Sequence, residues 1–214
     1  MTEIQDTEHF WESQYSGRPR VWSGAPNAPL AETVADLTPG RALDLGCGEG
    51  GDAVHLATLG WRVTAVDVAP TALDRTRELA HSAGVADRVD VQHHDLAASL
   101  PEGEYDLVNA QFLQSPLEFP RPRIVRAAFR ALAPGGLLLL VDHGSAPPWS
   151  WHGEHRFPTV REVYEELELD AEPHRVERLD TPSREAVGPS GERARVVDLV
   201  VVLRRTGRCA GESD

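Results

Sequence analysis

The 214-residue chain is short of the features that mark secreted, membrane and nucleic-acid-binding proteins. It has two cysteines, Cys47 and Cys209, far apart in sequence. They form neither a metal pair nor a disulfide framework, which fits a reducing compartment. No purely apolar run is longer than Leu137–Val141, far below the ~20 residues a membrane helix needs. The opening segment, MTEIQDTEHF, lacks a basic stretch followed by an apolar one, so no secretory signal is expected. Basic residues are outnumbered, 21 Lys+Arg against 34 Asp+Glu, for a formal charge of −13. Binding a polyanion needs a cationic face, so neither nucleic acid nor an anionic membrane is the expected partner. Repeats and low-complexity tracts are absent too. These absences leave a cytoplasmic protein that handles a small molecule.

What is present is ordinary for a globular domain: 41% hydrophobic and 26% charged residues. A chain of this size buries roughly 70% of the surface its unfolded form exposes, so it needs no covalent staples. Short apolar runs alternate with helical patterns. Ala42–Leu45 reads as a strand and Asp52–Leu59 as a helix closed by Gly60. Arg62–Val66 is the next strand, and Pro70 opens a helix that runs to Gly84. Val89–Gln92 and Asp106–Asn109 are further strands. Ile124–Leu132 is helical by its three- and four-residue apolar spacing, and Pro134-Gly135-Gly136 separates it from a fifth strand, Leu137–Val141. Such alternation predicts an α/β fold, a mostly parallel sheet covered on both faces. After Val141 the pattern changes. Val160–Leu169 reads as a helix. Val176–Leu179 and Val196–Leu203 read as two strands split by Thr181–Gly191, which suggests a hairpin at one sheet edge.

The strongest local signal is Leu43-Asp44-Leu45-Gly46-Cys47-Gly48-Glu49-Gly50-Gly51, between the first strand and its helix. Glycines there let the backbone turn sharply and approach a ligand, and the helix N-terminus adds partial positive charge. Gly46-x-Gly48-x-x-Gly51 also matches the dinucleotide fingerprint, so the turn alone leaves the adenosine ligand open. Asp67 ends the second strand, 21 residues past Gly46, where an acid can accept ribose hydroxyls. Asp95 follows the third strand in His93-His94-Asp95-Leu96. The fourth ends Tyr105-Asp106-Leu107-Val108-Asn109, and Leu132-Ala133-Pro134-Gly135-Gly136 precedes the fifth.

This ordered set, over roughly Ala42 to Val141, resembles the class I S-adenosylmethionine-dependent methyltransferases. The resemblance implies a Rossmann-like three-layer sandwich whose seven-stranded sheet ends in an antiparallel C-terminal strand. It implies S-adenosyl-L-methionine as cofactor. Asp44, Gly46 and Gly48 would surround its methionine part. Asp67 would bind ribose, Val68 pack on adenine, Asp95 and Leu96 meet the adenine edge, and Asn109 lie beneath the cofactor. A nicotinamide-dependent oxidoreductase and a non-catalytic adenosine-binding module are the competing readings on the same architecture.

The N-terminal segment, Phe10-Trp11-x-x-x-Tyr15 with Arg20-Val21-Trp22-Ser23-Gly24 and Pro26-Asn27, looks like that of the small tellurite-resistance and thiopurine-type branch. There Trp22 can offer its face to a sulfonium cation. The expected organisation is a single domain over 1–206, with a lid or helical segment at 1–38, a cofactor-binding core at 39–143, a substrate-side insertion and C-terminal hairpin at 144–206, and a tail at 207–214.

Methyl transfer from a sulfonium is an in-line displacement, with the activation carried by the cofactor. The protein has to align the two partners and exclude water. Candidates to orient an acceptor or take its proton are Gln111 and Gln114 after the fourth strand and His143 after the fifth. Asp142 is expected to bond the local backbone. Trp149, Trp151, His152, His155 and Phe157 suit a wall of the substrate pocket; His152-x-x-His155 has no third ligand at recognisable spacing, so no metal is expected. Asn109 is followed by Ala110 and Gln111 rather than two prolines, which argues against exocyclic amines of bases or Gln as acceptors. The lack of an obvious strong base favours an acceptor that ionises easily, a small-molecule thiol ahead of a hydroxyl or amine. The oligomeric expectation is a monomer or a homodimer.

Overall fold

The computed structural model describes residues 2–149, 156–188 and 190–207. In chain order the elements are α1 (Thr2–Ser16), α2 (Ala28–Val34), β1 (Arg41–Leu45), α3 (Gly51–Thr58), β2 (Arg62–Asp67), α4 (Pro70–Ser82), a short 3-10 turn (Ala86–Arg88), β3 (Val89–His93), β4 (Tyr105–Gln111), α5 (Arg121–Arg130), β5 (Leu132–His143), α6 (Val160–Glu166), β6 (His174–Asp180), β7 (Ser183–Val187) and β8 (Arg193–Arg205).

The sheet runs β3-β2-β1-β4-β5-β8-β6, with β7 added on β8. The five strands β1 to β5 pair in parallel, and β8 is antiparallel to β5, β6 and β7. The seven-stranded path matches the expectation. The C-terminal pair does not form a simple edge hairpin: β8 inserts between β5 and β6, which leaves β6 at the edge. Part of the supposed break, Ser183–Val187, forms β7 and makes the true hairpin with Arg193–Val197. Its alternation of Arg, Glu and small residues has no apolar stripe, so the two-residue signal of a half-buried strand is missing.

Two boundaries also shift. Helix α5 starts at Arg121 and stops at Arg130, and Leu132 pairs with Tyr105 as the first residue of β5. Helix α6 starts at Val160 as expected, after a capping box in which the Glu162 N–H donates to Thr159 Oγ1 and the Thr159 N–H donates to Glu162 Oε2, but it stops at Glu166 rather than Leu169.

One core lies on each face. On one, Leu30, Val34, Leu56, Trp61, Ala42, Ala65, Leu107, Val141 and Val200 pack with α2 and α3. On the other, Leu43, Leu45, Val108, Leu140 and Leu203 pack with Ile124 and Phe129 of α5 and Val163 of α6. Strand side chains alternate between faces. Asp44, Asp67, Asn109, Gln111, His143 and Asp198 therefore share the α2–α3 face, in a row across the carboxyl ends of β2, β1, β4 and β5. The order β3-β2-β1-β4-β5 reverses direction between β1 and β4, the crevice where open α/β sheets bind ligands.

Candidate functional site

The turn after β1 is held from three sides. Cys47 N–H donates to Val66 C=O at 2.9 Å, Gly48 N–H to Asp67 Oδ2 at 2.9 Å, and Thr76 Oγ1 to Gly48 C=O at 2.9 Å. Gly48 has φ +53°, and a Cβ there would lie 3.3 Å from the Tyr15 hydroxyl and 3.6 Å from the Trp22 ring. Glycine is thus favoured by the backbone angle, with the Tyr15 hydroxyl leaving little room for a side chain. Gly51 has a different reason: a Cβ would come within 2.7 Å of the Ala25 carbonyl oxygen.

Asp67 is buried, and its carboxylate accepts from the Gly48 and Ala69 N–H groups. Burial raises its pKa against the opposing effect of those donors. Asp44 sits opposite Asn109 in the β1–β4 register. Asn109 Nδ2 donates to Asp44 Oδ1 at 2.8 Å and to Asp52 Oδ2 at 3.3 Å, and Asn109 Oδ1 accepts from Gln111 Nε2 at 2.8 Å. Asp52 also accepts from the Asn27 N–H at 2.7 Å and from Asn27 Nδ2 at 2.9 Å. Desolvation, followed by the charge of Asp52, raises the pKa of Asp44; desolvation raises that of Asp52. Asp44 Oδ2 and Gln111 Oε1 are buried with no partner among the described residues. A buried acceptor oxygen beside crowded carboxylates suits a cationic hydrogen-bond donor.

The N-terminal segment is tied over this turn by groups that the sequence did not single out. Glu49 accepts from the Val21 and Trp22 N–H groups and pairs with Arg75 at 2.6 Å. Arg75 in turn donates to the Tyr15 and Arg18 carbonyls. Glu12 accepts from the Thr71 N–H and hydroxyl at the start of α4, and His93 contacts Glu8 and the Val68 carbonyl. Trp22 itself is 59% exposed, with its indole nitrogen 3.5 Å from the Tyr15 hydroxyl. Phe10 and Trp11 pack edge to face.

The remaining adenosine-side candidates are more local. Asp95 accepts from the Ala97 N–H at 2.9 Å, shaping the turn after β3, while Leu96 is buried in the α5-side core. Val68 is half-buried and follows Asp67.

Beyond Gln111 the site changes character. Phe112, at φ +53°, stacks on His143 with ring centroids 4.3 Å apart and planes 20° from parallel. Arg184 of β7 lies 5.8 Å from the Phe112 centroid and donates from Nε to Asp198 Oδ2 at 2.7 Å. Asp198 is the cross-strand neighbour of His143. Gln114 is exposed, and the structure does not join its side chain to the Asn109 network; its N–H donates to the Phe112 carbonyl. Asp142 faces the opposite side, where it pairs with Arg121 rather than with local backbone. Burial raises its pKa against the pull of that guanidinium. Trp151, His152 and His155 lie outside the described residues; Trp149 and Phe157 are half-buried.

Comparison with known proteins places this geometry in context. A family profile described as "Methyltransferase domain" matches residues 42–136. The 27-O-demethylrifamycin SV methyltransferase of Amycolatopsis mediterranei is 35% identical over 120 residues, 53% of this chain and 43% of that protein. The chain spans about half the length of the curated relatives it matches. A solved structure from work on the conversion of a disulfide bond into a thioacetal group during echinomycin biosynthesis superposes with a TM-score of 0.73 and 27% identity, covering 95% of this chain and 93% of that one. TehB from Haemophilus influenzae gives a TM-score of 0.65 at 18% identity, over 94% of this chain and 67% of that one.

Proposed function

We propose that the chain, whose residues 42–136 match a methyltransferase domain profile, is a class I S-adenosylmethionine-dependent methyltransferase that transfers the methyl group of S-adenosyl-L-methionine to a heteroatom of a small molecule, with a thiol or other soft nucleophile ahead of a hydroxyl or amine. The observation that carries the donor half is the buried acid cluster of Asp44, Asp52 and Asp67 around the glycine turn, with one Asp44 oxygen lacking a donor. The solved structure from work on the conversion of a disulfide bond into a thioacetal group supports the soft acceptor. The rifamycin relative argues for keeping hydroxyls in the test.

When bound, the cofactor supplies an electrophilic methyl carbon on a positive sulfur. The chain's residues do the rest. Asp44 Oδ2 receives a donor from the cofactor's methionine part, and Gly46 and Gly48 bring backbone close to it. Asp67 retains lone pairs for ribose hydroxyls beyond its two backbone donors. Val68, Asp95 and Leu96 border the adenine. Trp22 and Tyr15 cover the turn, where an aromatic face would attract the cofactor's sulfonium. Gln111, Phe112 and His143 line the acceptor side, Gln114 lies at its rim, and the 1–38 segment closes over the donor. The protein acts in the cytoplasm on a small molecule, as a monomer or homodimer.

Thermal shifts test the reading. S-adenosylhomocysteine at ~100 times its Kd adds about 2.7 kcal/mol, NAD(H) adds nothing, and Asp67→Ala largely abolishes the gain. A chain unmoved by S-adenosylhomocysteine and stabilised by NAD(H) overturns it. Labelled cofactor with thiol, phenol and amine panels then reads the acceptor by mass shift; binding without methylation of any compound favours the non-catalytic module.

A further inference from the structure

Resting on that methyl-transfer reading, we infer that Gln111 selects acceptors that carry a proton on the reacting heteroatom, by offering its Oε1 as a fixed hydrogen-bond acceptor. Asn109 and Gln111 form one chain of amides. Asn109 is fully buried, and its Nδ2 faces two carboxylates, Asp44 and Asp52. An acid accepts at a carboxylate oxygen, and still accepts at its carbonyl oxygen when it carries one proton. In the structure Asn109 turns its nitrogen to that side and its oxygen to the other. That oxygen takes Gln111 Nε2 at 2.8 Å, which fixes the second amide in turn. Oε1 of Gln111 is then buried without a partner among the described residues. A glutamine in solvent can rotate to exchange its two ends; this one is held with Oε1 as a fixed acceptor, while Asn109 takes one of its two Nε2 protons.

Its place selects the acceptor molecule rather than the donor as occupant. Gln111 is the last residue of β4, two positions past Asn109 on the same face, about 7 Å farther toward the carboxyl edge. Asp44 Oδ2 is the unpartnered oxygen on β1, at the glycine turn; Gln111 Oε1 is the one on β4, next in sequence to Phe112, which stacks on His143. The group that meets it must donate: a thiol S–H, a hydroxyl O–H or an amine N–H. Thioethers, disulfides and tertiary amines have the lone pair but no proton. During transfer the lone pair of the heteroatom forms the new bond to carbon. The carbon–sulfur bond of the sulfonium breaks, its electron pair stays on that sulfur, and the acceptor's proton leaves to water. The amide of Gln111 orients the lone pair and takes no proton.

The test compares benzyl mercaptan, benzyl alcohol, benzylamine and benzyl methyl sulfide with wild type, Gln111→Leu and Gln111→Met. Label transfer from S-adenosylmethionine gives kcat/KM, and calorimetric titration into the S-adenosylhomocysteine complex gives binding. Wild type should favour a protic compound over the sulfide by about tenfold or more, the size of one well-made hydrogen bond. Either variant should lower the protic value and leave the sulfide within about twofold. A general loss of structure moves all four compounds together, and the retained S-adenosylhomocysteine thermal shift checks the fold. If one variant does not fold, the other gives the same ratio. Equal losses for sulfide and mercaptan, or no loss, overturn the role of Gln111 and leave methyl transfer standing. A wild-type protein that neither binds nor methylates any of the four overturns both.

Discussion

Glu49 and Arg75 form an ion pair at 2.6 Å in which the carboxylate is 1% exposed and the guanidinium 18%. The pair sits under the N-terminal segment and satisfies four of its backbone groups, the Val21 and Trp22 N–H and the Tyr15 and Arg18 C=O. The glycine turn thus carries, in one residue between Gly48 and Gly50, the anchor for the segment that covers it.

Removing the anchor should loosen the cover as well as the fold. Glu49→Ala leaves Arg75 unpaired and two N–H groups without acceptors, an expected loss of about 3 kcal/mol by analogy with broken buried pairs. Circular dichroism melts measure it. Weaker binding of S-adenosylhomocysteine in the same variant links the segment to the cofactor; unchanged binding separates them.

Asp44→Asn should part stability from binding. The amide oxygen can still accept from Asn109, and the repulsion with Asp52 disappears, so the unliganded protein holds or gains stability at neutral pH. Cofactor affinity should fall by about tenfold or more, since a charge-assisted hydrogen bond is lost. Calorimetry and melting of the same variant read both.

The buried acids set a pH dependence of known sign. Asp44, Asp52 and Asp67 all have pKa values raised from 3.8, so the folded chain holds protons that the unfolded chain has released. Their contribution to stability is full below that ordinary carboxylate value and declines as pH rises through the raised ones. A bound cation favours the ionised forms, so the stabilisation conferred by S-adenosylmethionine should grow with pH, with protons released on binding. Melting from pH 5 to pH 8 and titration in two buffers of different ionisation enthalpy test it.

Trp22 separates a cation contact from simple cover. Trp22→Leu should weaken S-adenosylmethionine by about 0.5–2 kcal/mol more than neutral S-adenosylhomocysteine, the range of a cation over an aromatic face. Equal weakening would assign Trp22 to packing alone.

The sheet and the turn were legible because their signals are local. Apolar runs of the parallel strands, Pro70 at a helix start, and the glycines after Leu45 each act within a few residues. The covering network was not. Glu49 meets Val21 across 28 positions and Arg75 meets Tyr15 across 60, and nothing in either segment names its partner. The bonds of Asn109 to Asp44, Asp52 and Gln111 were not legible either, because an amide at a strand end looks the same in sequence whatever its side chain meets. Asp142 was assigned to backbone and instead meets Arg121, which approaches from the start of α5.

Strand β8 is one 13-residue ribbon that runs from the hairpin with β7 into the main sheet between β5 and the edge strand β6. Neighbouring strand positions face opposite ways, so a single-residue slip would turn Asp198 away from Arg184 and push Leu199 and Val201 out of their layer. The packing of β8 in the core therefore fixes where Asp198 meets Arg184 and His143, so that a change in the buried face of one strand is felt at the polar edge of another.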